Sequence, residues 1–375
     1  MRIAVIARSL PAHGGGGMER VTEDLVTRWA RTGHSVTVVT TPFSVKPGDG
    51  SSDPYPGLLD VVTLPGRPGR YSSRWGKALA RLSFDEFDVV FSVSSAARTL
   101  LGAKTTRPVV LQAHGTSLDE IRAKIANRSV RSLVRLPKNL FWLGRDLHDY
   151  ARYDAVVGVG PAVTQTLTRT LPRRFRPRTY IELGNGVPKS AEDSEGAIRA
   201  GAVFVGRLHR EKGVDLAVRA AVSAGVPLLI CGDGPERHRL ERLRDRLGST
   251  SPVEFAGHLA PPEVRRAVRR AAVMLVPSRR REVGLNLAVL EALTEGTPVV
   301  ISRALAESFG GDLPTGVTMA DGVADLTAAL RRTVDGTVDN ALIAAGAVGF
   351  DVDRVAERYI DAFREVVAHA QEGQA

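Results

Sequence analysis

Two cations stand close together between glycines in the second half of the sequence. Arg207 and Lys212 follow the apolar run "AVFVG", and Gly206 and Gly213 flank them. Arginine offers a forked set of donors and lysine a compact charge, a combination that suits a diphosphate. The alternative is a solvated charge run, because other charged residues lie in the same stretch.

The segment "SRRREVGLNLAVLEALTEGTPVV", residues 278–300, opens a leucine-rich helix with an asparagine. Asn286 is predicted to cap that helix through its side-chain oxygen. The backbone N–H groups of Leu287 and Ala288 would then point at an anionic ligand, as at other phosphate-binding helix ends.

Two glutamates flank this helix start. Glu291, one turn into the helix, could accept the hydroxyls of a ribose, and Glu282, before the helix, those of a second sugar. Taken alone, Glu291 also fits an ordinary acid favoured by the helix dipole. Together with Arg207 and Lys212, it favours a binding role.

The first half offers a glycine loop and a histidine. In "HGGGGMER", Gly16 and Gly17 open a helix where backbone N–H groups can approach a phosphate, although a flexible turn is the alternative. His114 follows the apolar run "VVLQA". We predict a functional histidine there, while a purely structural one is the alternative.

Composition limits the class of protein. The chain has 375 residues, enough for two domains, with 43% hydrophobic and 25% charged residues. No apolar run approaches the roughly 18–20 residues of a membrane span, and the opening "MRIAVIARS" favours a buried strand over a secretory signal. The single cysteine, Cys231, excludes an intrachain disulfide and fits a reducing cytoplasm.

The net charge is positive and uneven. Lysines and arginines number 51 and acids 41, a difference of +10, and basic residues concentrate in residues 122–178. The excess indicates either an arginine-rich proteome or an anionic partner.

Apolar runs alternate with helical patterns in both halves of the chain. "IAVIA", the helical stretch "ERVTEDLVTRWARTG" and "HSVTVVTT" read as one βαβ unit, and the second half restarts this rhythm. Near-continuous apolar strands indicate parallel sheets covered on both faces. The fold class is therefore α/β with two doubly wound domains.

Domain limits follow from a segment rich in Gly, Pro and Ser, residues 184–201. We predict an N-terminal domain over residues 1–185, a C-terminal domain over residues 186–352, and a closing amphipathic helix over residues 353–375. Ligands of open parallel sheets bind beyond the carboxyl ends of the strands, and every unusual loop described above has that position.

The combination of motifs resembles a known family. "GGGGMERVTEDLVTRWARTGHSVTVVT", "VFVGRLHREKGVDLAVRA", "LLICGDGPERHRLE" and "LAVLEALTEGTPVVIS" occur in this order. They resemble the retaining nucleotide-sugar glycosyltransferases of the GT-B fold, which include bacterial mannosyl- and glucosyltransferases related to sucrose and glycogen synthases. The resemblance extends from residue 2 to about residue 365.

The resemblance implies two Rossmann-like domains that face a cleft, with the acceptor in the first and the donor in the second. The last helix would return to the first domain. A hexose would pass from a donor such as a UDP-sugar or GDP-mannose to a hydroxyl, with retention of configuration. The family needs no cofactor beyond this co-substrate and no metal, because protein cations neutralise the diphosphate.

Residue roles follow from the same resemblance. Arg207 and Lys212 would neutralise the diphosphate, with Gly206 beside them, and Glu291 would bind the ribose. His114 would touch the transferred sugar near its 6-hydroxyl, and Glu282 would bind that sugar. The loops that line the donor would include Gly16, Gly17, Asn185 and Gly186. We therefore predict His114, Arg207, Lys212 and Glu282 as the catalytic residues.

The sequence departs from the family at the first acid. The family has seven residues between the two glutamates, whereas eight separate Glu282 from Glu291, so a strict count reaches Val283. Either the loop carries one extra residue or the sugar-binding acid is lost. Pro188 also stands where an Asp is common.

The basic segment 121–153 has two interpretations. It interleaves arginines with leucines and aromatic residues, as a peripheral contact with the inner membrane face would require. An ordinary helix pair with solvated arginines is the alternative. A nucleic-acid partner is disfavoured, because no recognised motif is present.

The acceptor, a lipid, a glycan or a natural-product aglycone, stays open at this point. So do two other functions: an epimerase or phosphorylase on the same fold, and a non-catalytic module that binds sugar nucleotides.

Overall fold

The protein forms two compact units. The computed structural model describes residues 1–14, 16–43, 55–102, 105–126, 136–189, 199–248, 252–280, 282, 285–310 and 312–372. The first unit comprises Met1–Gly186 and Val352–Ala375, and the second comprises Val187–Asp351. The sequence placed these divisions after residues 185 and 352.

Each unit contains one sheet in which all neighbouring strands are parallel. The first sheet has the order β3-β2-β1-β4-β5-β6-β7 and the second the order β10-β9-β8-β11-β12-β13. The strands are β1 (Arg2–Ile6), β2 (Ser35–Thr40), β3 (Asp60–Thr63), β4 (Val89–Val93), β5 (Val109–Ala113), β6 (Ala155–Gly158), β7 (Tyr180–Glu182), β8 (Ala202–Val205), β9 (Leu228–Cys231), β10 (Val253–Gly257), β11 (Val273–Val276), β12 (Val299–Ile301) and β13 (Val317–Met319).

Helices lie between many of the strands and follow the last one. They are α1 (Gly17–Arg31), α2 (Ser73–Leu79), α3 (Ser117–Ala126), α4 (Leu136–Tyr150), α5 (Pro161–Gln165), α6 (Val214–Ala224), α7 (Arg237–Leu247), α8 (Pro261–Arg270), α9 (Leu287–Thr294), α10 (Arg303–Ala306), α11 (Gly322–Asp335), α12 (Asn340–Gly346) and α13 (Val352–Glu372).

Burial explains why these segments form parallel sheets. Every residue of β4 and β5 is buried, as expected of strands that helices cover on both faces. In the second unit, separate apolar clusters pack on the sheet, one around Phe204 and one around Met274. The predicted fold class, two doubly wound α/β units, is confirmed.

Both sheets contain a point where the strand order reverses. In the first sheet the chain builds outward from β1 to β3 and then resumes on the other side at β4, and in the second the reversal lies between β8 and β11. The loops that follow these strands diverge and leave a crevice, which is where such sheets bind ligands.

The C-terminal helix packs on the first unit, as predicted. The indole N–H of Trp29, on α1, donates a 3.0 Å hydrogen bond to the carbonyl oxygen of Ala356 on α13. Around it, Phe91 of β4 meets Tyr359 and Phe363 of α13 in edge-on and tilted ring contacts. The helix therefore completes the core of the unit in which the chain begins.

The basic segment lies on α3 and α4, although residues 127–135 fall outside the described residues. Leu140 and Phe141 on α4 are more than half exposed, at 54% and 60%. Among the described helices, none combines the length and apolar character needed to cross a bilayer. The peripheral membrane contact stays a prediction.

Candidate active site

Two loops meet at the strand-order reversal of the second unit. The first follows β8 and carries Arg207 and Lys212, and the second follows β11 and carries Glu282 and Asn286. A Cβ on Gly213 would stand 1.9 Å from a carbonyl oxygen of the second loop, and φ is +67° there. Only glycine lets the loops approach this closely.

Lys212 and Glu282 contact each other directly. The ammonium Nζ of Lys212 lies 2.5 Å from Oε1 of Glu282, and each side chain is about one-fifth exposed, at 21% and 22%. The other carboxylate oxygen of Glu282 accepts a 3.0 Å hydrogen bond from Nδ2 of Asn286. Lys212, which is predicted to bind the phosphate, and Glu282, which is predicted to bind the sugar, therefore form one connected network.

Asn286 caps α9, as predicted. Its Oδ1 accepts hydrogen bonds from the backbone N–H groups of Ala288, at 3.0 Å, and Val289, at 3.3 Å. This corrects one expectation, because the cap itself occupies the Ala288 N–H that was assigned to a phosphate. The Leu287 N–H stays a prediction.

The other residues predicted to bind the donor occupy different surroundings. Arg207 is exposed, and in the described part of the chain its guanidinium forms no ion pair. Gly206 follows β8 with φ at +150°. Glu291 is buried at 7% exposure, one turn beyond the Asn286 cap. Val283, where the strict spacing would place the first acid, lies outside the described residues.

Two arginines of "SRRRE" hold the loops together, a role that the sequence did not reveal. Arg279 makes two parallel bonds to the carboxylate of Asp215, at 2.5 and 2.7 Å. Burial alone would raise the pKa of Asp215, but the hydrogen bonds and charge of Arg279 lower it below its usual value. Arg280 pairs with Glu211 at 3.5 Å.

The glycine loop of the first unit already faces a carboxylate. Gly16 precedes α1 in extended conformation and Gly17 is its first residue, while Gly15 lies outside the described residues. The Glu19 carboxylate stands 2.3 Å from the position of a Cβ on Gly16, and it accepts a 2.8 Å hydrogen bond from Ser9. A phosphate at this helix start would have to displace that acid.

His114 follows β5 and ends a hydrogen-bonded chain whose other members, Gln112 and Tyr359, are buried. The side-chain nitrogen of Gln112 donates to the Tyr359 hydroxyl at 2.8 Å, which turns the Gln112 amide oxygen toward Nε2 of His114, 2.9 Å away. The histidine must therefore carry its hydrogen on Nε2. Burial lowers the pKa of His114 to about 4, so the ring is neutral and Nδ1 can accept a hydroxyl hydrogen.

Sequence reasoning missed Gln112 and Tyr359 in this chain, although one signal was present. Gln112 is a lone amide inside the apolar run "VVLQA", and a buried polar group requires a partner. Its partner, Tyr359, is fully buried on α13.

Asn185 and Gly186 lie where the chain leaves the first unit. Asn185 is buried, and its Oδ1 accepts no hydrogen bond from the described residues. A Cβ on Gly186 would stand 2.6 Å from the Cα of Val352, so this glycine lets the outgoing and returning segments lie side by side. Their donor-lining role stays a prediction.

Among the residues that the structure describes, no three His, Cys, Asp or Glu side chains are grouped so that they could hold a metal ion.

Two protein families match the chain in succession. The family described as "Glycosyltransferase Family 4" matches residues 15–187, and "Glycosyl transferases group 1" matches residues 199–335. Together they cover most of both units.

Curated relatives match over shorter stretches. A 2-deoxystreptamine glucosyltransferase of Streptomyces kanamyceticus is 32% identical over 139 residues, 35% of each chain. A D-inositol 3-phosphate glycosyltransferase of Acidothermus cellulolyticus is 32% identical over 192 residues, 44% of this chain and 41% of the relative. The chain therefore matches less than half the length of these relatives.

Solved structures match the fold over nearly the whole chain. A sucrose-phosphate synthase from Thermosynechococcus elongatus superposes with a TM-score of 0.73 at 17% identity, covering 98% of this chain and 100% of that one. The Anabaena protein HepE in complex with UDP and glucose gives 0.66 at 18% identity, with 97% and 100% coverage. At such identities the likeness concerns the fold alone.

Proposed function

We propose that this chain, which belongs to the GT-B glycosyltransferases, transfers a hexose-type sugar from a nucleoside-diphosphate sugar to an acceptor hydroxyl, with retention of anomeric configuration and without a metal ion. The observation that carries the proposal is the network of Lys212, Glu282 and Asn286 at the strand-order reversal of the second unit, where the loop of Lys212 also carries Arg207.

The diphosphate would bind to the two cations. Arg207 has an unpaired guanidinium in the described chain, and Lys212 can turn its ammonium from Glu282 to a phosphate oxygen. As the bond from the anomeric carbon to the diphosphate breaks, negative charge grows on the leaving oxygen. Fixed cations that stabilise this charge lower the barrier, which is the contribution that a metal ion makes elsewhere.

The acceptor hydroxyl would attack on the same face of the sugar that the diphosphate leaves. Its oxygen forms the new bond to the anomeric carbon, and its proton passes to the departing phosphate oxygen. No protein carboxylate is needed as a base in this step. Glu282 would instead bind sugar hydroxyls, and Glu291 the ribose.

His114 would contribute to sugar recognition in the first unit. A neutral imidazole with its hydrogen fixed on Nε2 presents Nδ1 as an acceptor, which suits a hydroxyl donor better than a phosphate. This fits the predicted contact with the 6-hydroxyl of the transferred sugar.

A panel of donors tests the proposal. The full chain is incubated with UDP- and GDP-sugars and with polyol acceptors in the presence of EDTA, and release of the nucleoside diphosphate is followed with the product anomer read by proton NMR. We expect one donor to raise the melting temperature most and to be turned over only with an acceptor. Donor isomerisation without an acceptor would indicate the epimerase, and binding without turnover the non-catalytic module.

A further inference from the structure

Helix α9 begins after Asn286 and contains Glu291, two residues of the proposed donor site. It is a core helix, because every residue from 289 to 300 is buried. Apolar contacts are non-directional, so they stabilise a buried helix without selecting its rotation as strictly as a hydrogen bond does. A slip by one residue would turn every side chain of the helix by about 100°. The donor site therefore depends on what fixes α9.

A buried ion pair lies at the other end of this helix. Glu295 follows the last residue of α9, and its Oε2 accepts a 2.9 Å hydrogen bond from Nε of Arg269, on α8. The Arg269 side chain is 8% exposed and the Glu295 side chain 5%. This contact is directional, because the carboxylate must meet the N–H donors of a guanidinium that α8 carries.

The turn after α9 is tied to the same part of α8. Thr297 is fully buried, and its hydroxyl donates a 2.9 Å hydrogen bond to the carbonyl oxygen of Val268. Arg199 donates to that hydroxyl at 2.6 Å and to the carbonyl oxygen of Glu295 at 2.7 Å. These bonds hold the turn, whereas the bond from Arg269 is made to the side chain at the helix end and is sensitive to the rotation of α9.

Net stability is a poor explanation for the buried pair. Both charges lose their hydration, and replacing such a pair by apolar side chains of similar volume is often neutral or stabilising. What the pair can supply is one defined arrangement of α8 and α9, because a shifted helix would bury two charges out of reach of each other. That arrangement extends into the site, since Asn286 donates to Glu282 at 3.0 Å and Glu282 contacts Lys212.

We propose that Arg269 and Glu295 are positioning residues, which set the rotation and axial position of α9 and thereby hold Asn286 and Glu291 in the geometry that the donor requires. The assignment rests on the proposed transferase function and adds two residues that act on the donor site through α9. Neither residue has to contact the donor, because their hydrogen bond lies at the end of α9 opposite to Asn286.

Calorimetric titration of full-chain variants with UDP and GDP separates positioning from stability. Arg269→Met combined with Glu295→Leu removes both charges together, so the melting temperature should be kept or rise, whereas the nucleotide that the parent binds should bind roughly fivefold more weakly. Glu295→Gln keeps an oxygen for Arg269 but removes the counter-charge, so it should lower the melting temperature and change the affinity by less than about twofold. Arg244→Met with Asp245→Leu, a 2.8 Å pair on α7, is the matched control and should change neither quantity.

A second measurement does not depend on a donor. The side-chain amide of Asn286, which donates to Glu282, is followed by nitrogen NMR in protein labelled on asparagine, and its signal should move in the double variant at Arg269 and Glu295 but not in Glu295→Gln or the control. A double variant with a much lower melting temperature, an unchanged nucleotide affinity or an unchanged Asn286 signal would overturn the positioning role. If the signal moves but the parent chain binds neither nucleotide, the transferase function fails and the positioning of α9 stands.

Discussion

Replacement of Glu282 by glutamine should strengthen the binding of a free nucleoside diphosphate. In the structure, Glu282 neutralises Lys212 at 2.5 Å, so a diphosphate that binds Lys212 must approach a carboxylate. Glu282→Gln removes that charge and keeps a side chain of the same shape beside Asn286. Lys212→Met removes the cation and should act in the opposite direction.

The size of the effect follows from the exposure of the pair. Two unit charges about 5 Å apart interact by roughly 3 kcal/mol at an effective dielectric constant of about 20. Because both side chains are about one-fifth exposed, at 21% and 22%, solvent screening reduces the repulsion. We take about 1 kcal/mol, so Glu282→Gln should tighten UDP binding roughly fivefold.

The assay compares UDP with the UDP-sugar by titration calorimetry. Glu282→Gln should tighten UDP but weaken the additional affinity that the sugar supplies, whereas Lys212→Met should weaken both ligands. Glu211→Gln is the matched control, because Glu211 lies on the loop of Lys212 but pairs with Arg280. If Glu282→Gln weakens UDP and the UDP-sugar equally, Glu282 is a structural residue and the reasoning is refuted.

Three further predictions concern stability. Burial lowers the pKa of His114 to about 4 from 6.5, so the contribution of the neutral ring to the free energy of unfolding is complete above pH 6.5 and is lost as the pH falls through 4. His114→Asn removes this titration, and the free energy of unfolding should then fall less at acid pH, by up to about 3 kcal/mol. Urea unfolding at a series of pH values measures the difference. Tyr359→Phe leaves the Gln112 amide without a buried acceptor and should lower the free energy of unfolding by about 1–3 kcal/mol. Nitrogen NMR should then show a mixture of His114 tautomers. An unchanged tautomer would contradict the hydrogen-bonded chain from Tyr359 to His114. In Gly213→Ala the new Cβ would stand 1.9 Å from a carbonyl oxygen, so this substitution should lower the melting temperature more than Gly225→Ala. Gly225 is the control because it has a similar φ of +74° but nothing within 4 Å of its Cβ position. Equal decreases in melting temperature would show that the close approach of the loops at Gly213 does not determine stability.

The sequence predicted the central strands well but missed three of the four edge strands that the structure describes. The apolar runs of β1, β4, β5, β8 and β11 are fully or largely buried, so composition alone marks them. The missed strands β3, β7 and β13 are three or four residues long and mostly exposed, and each lies at a sheet edge. A strand covered on one side only lacks the apolar run by which a buried strand is recognised.

Local patterns also limited the prediction of the site. The Asn286 cap follows from residue type and position, and the structure contains it. The contact of Lys212 with Glu282 joins residues seventy positions apart, and no local pattern encodes such a pair. The roles of Arg279 and Arg280 were hidden for the same reason, because their partners, Asp215 at the start of α6 and Glu211 on the loop before it, lie far earlier in the chain.

The position of α13 has a consequence for synthesis on the ribosome. The rings of Trp29 and Phe91, in the first hundred residues, are covered by Tyr359 and Phe363 near the C-terminus. A nascent chain that has reached Asp351 contains all of the second unit but none of this cover. Because domains fold as they emerge, the unit that is translated first is the last to be completed, and until then its aromatic residues need protection from other chains.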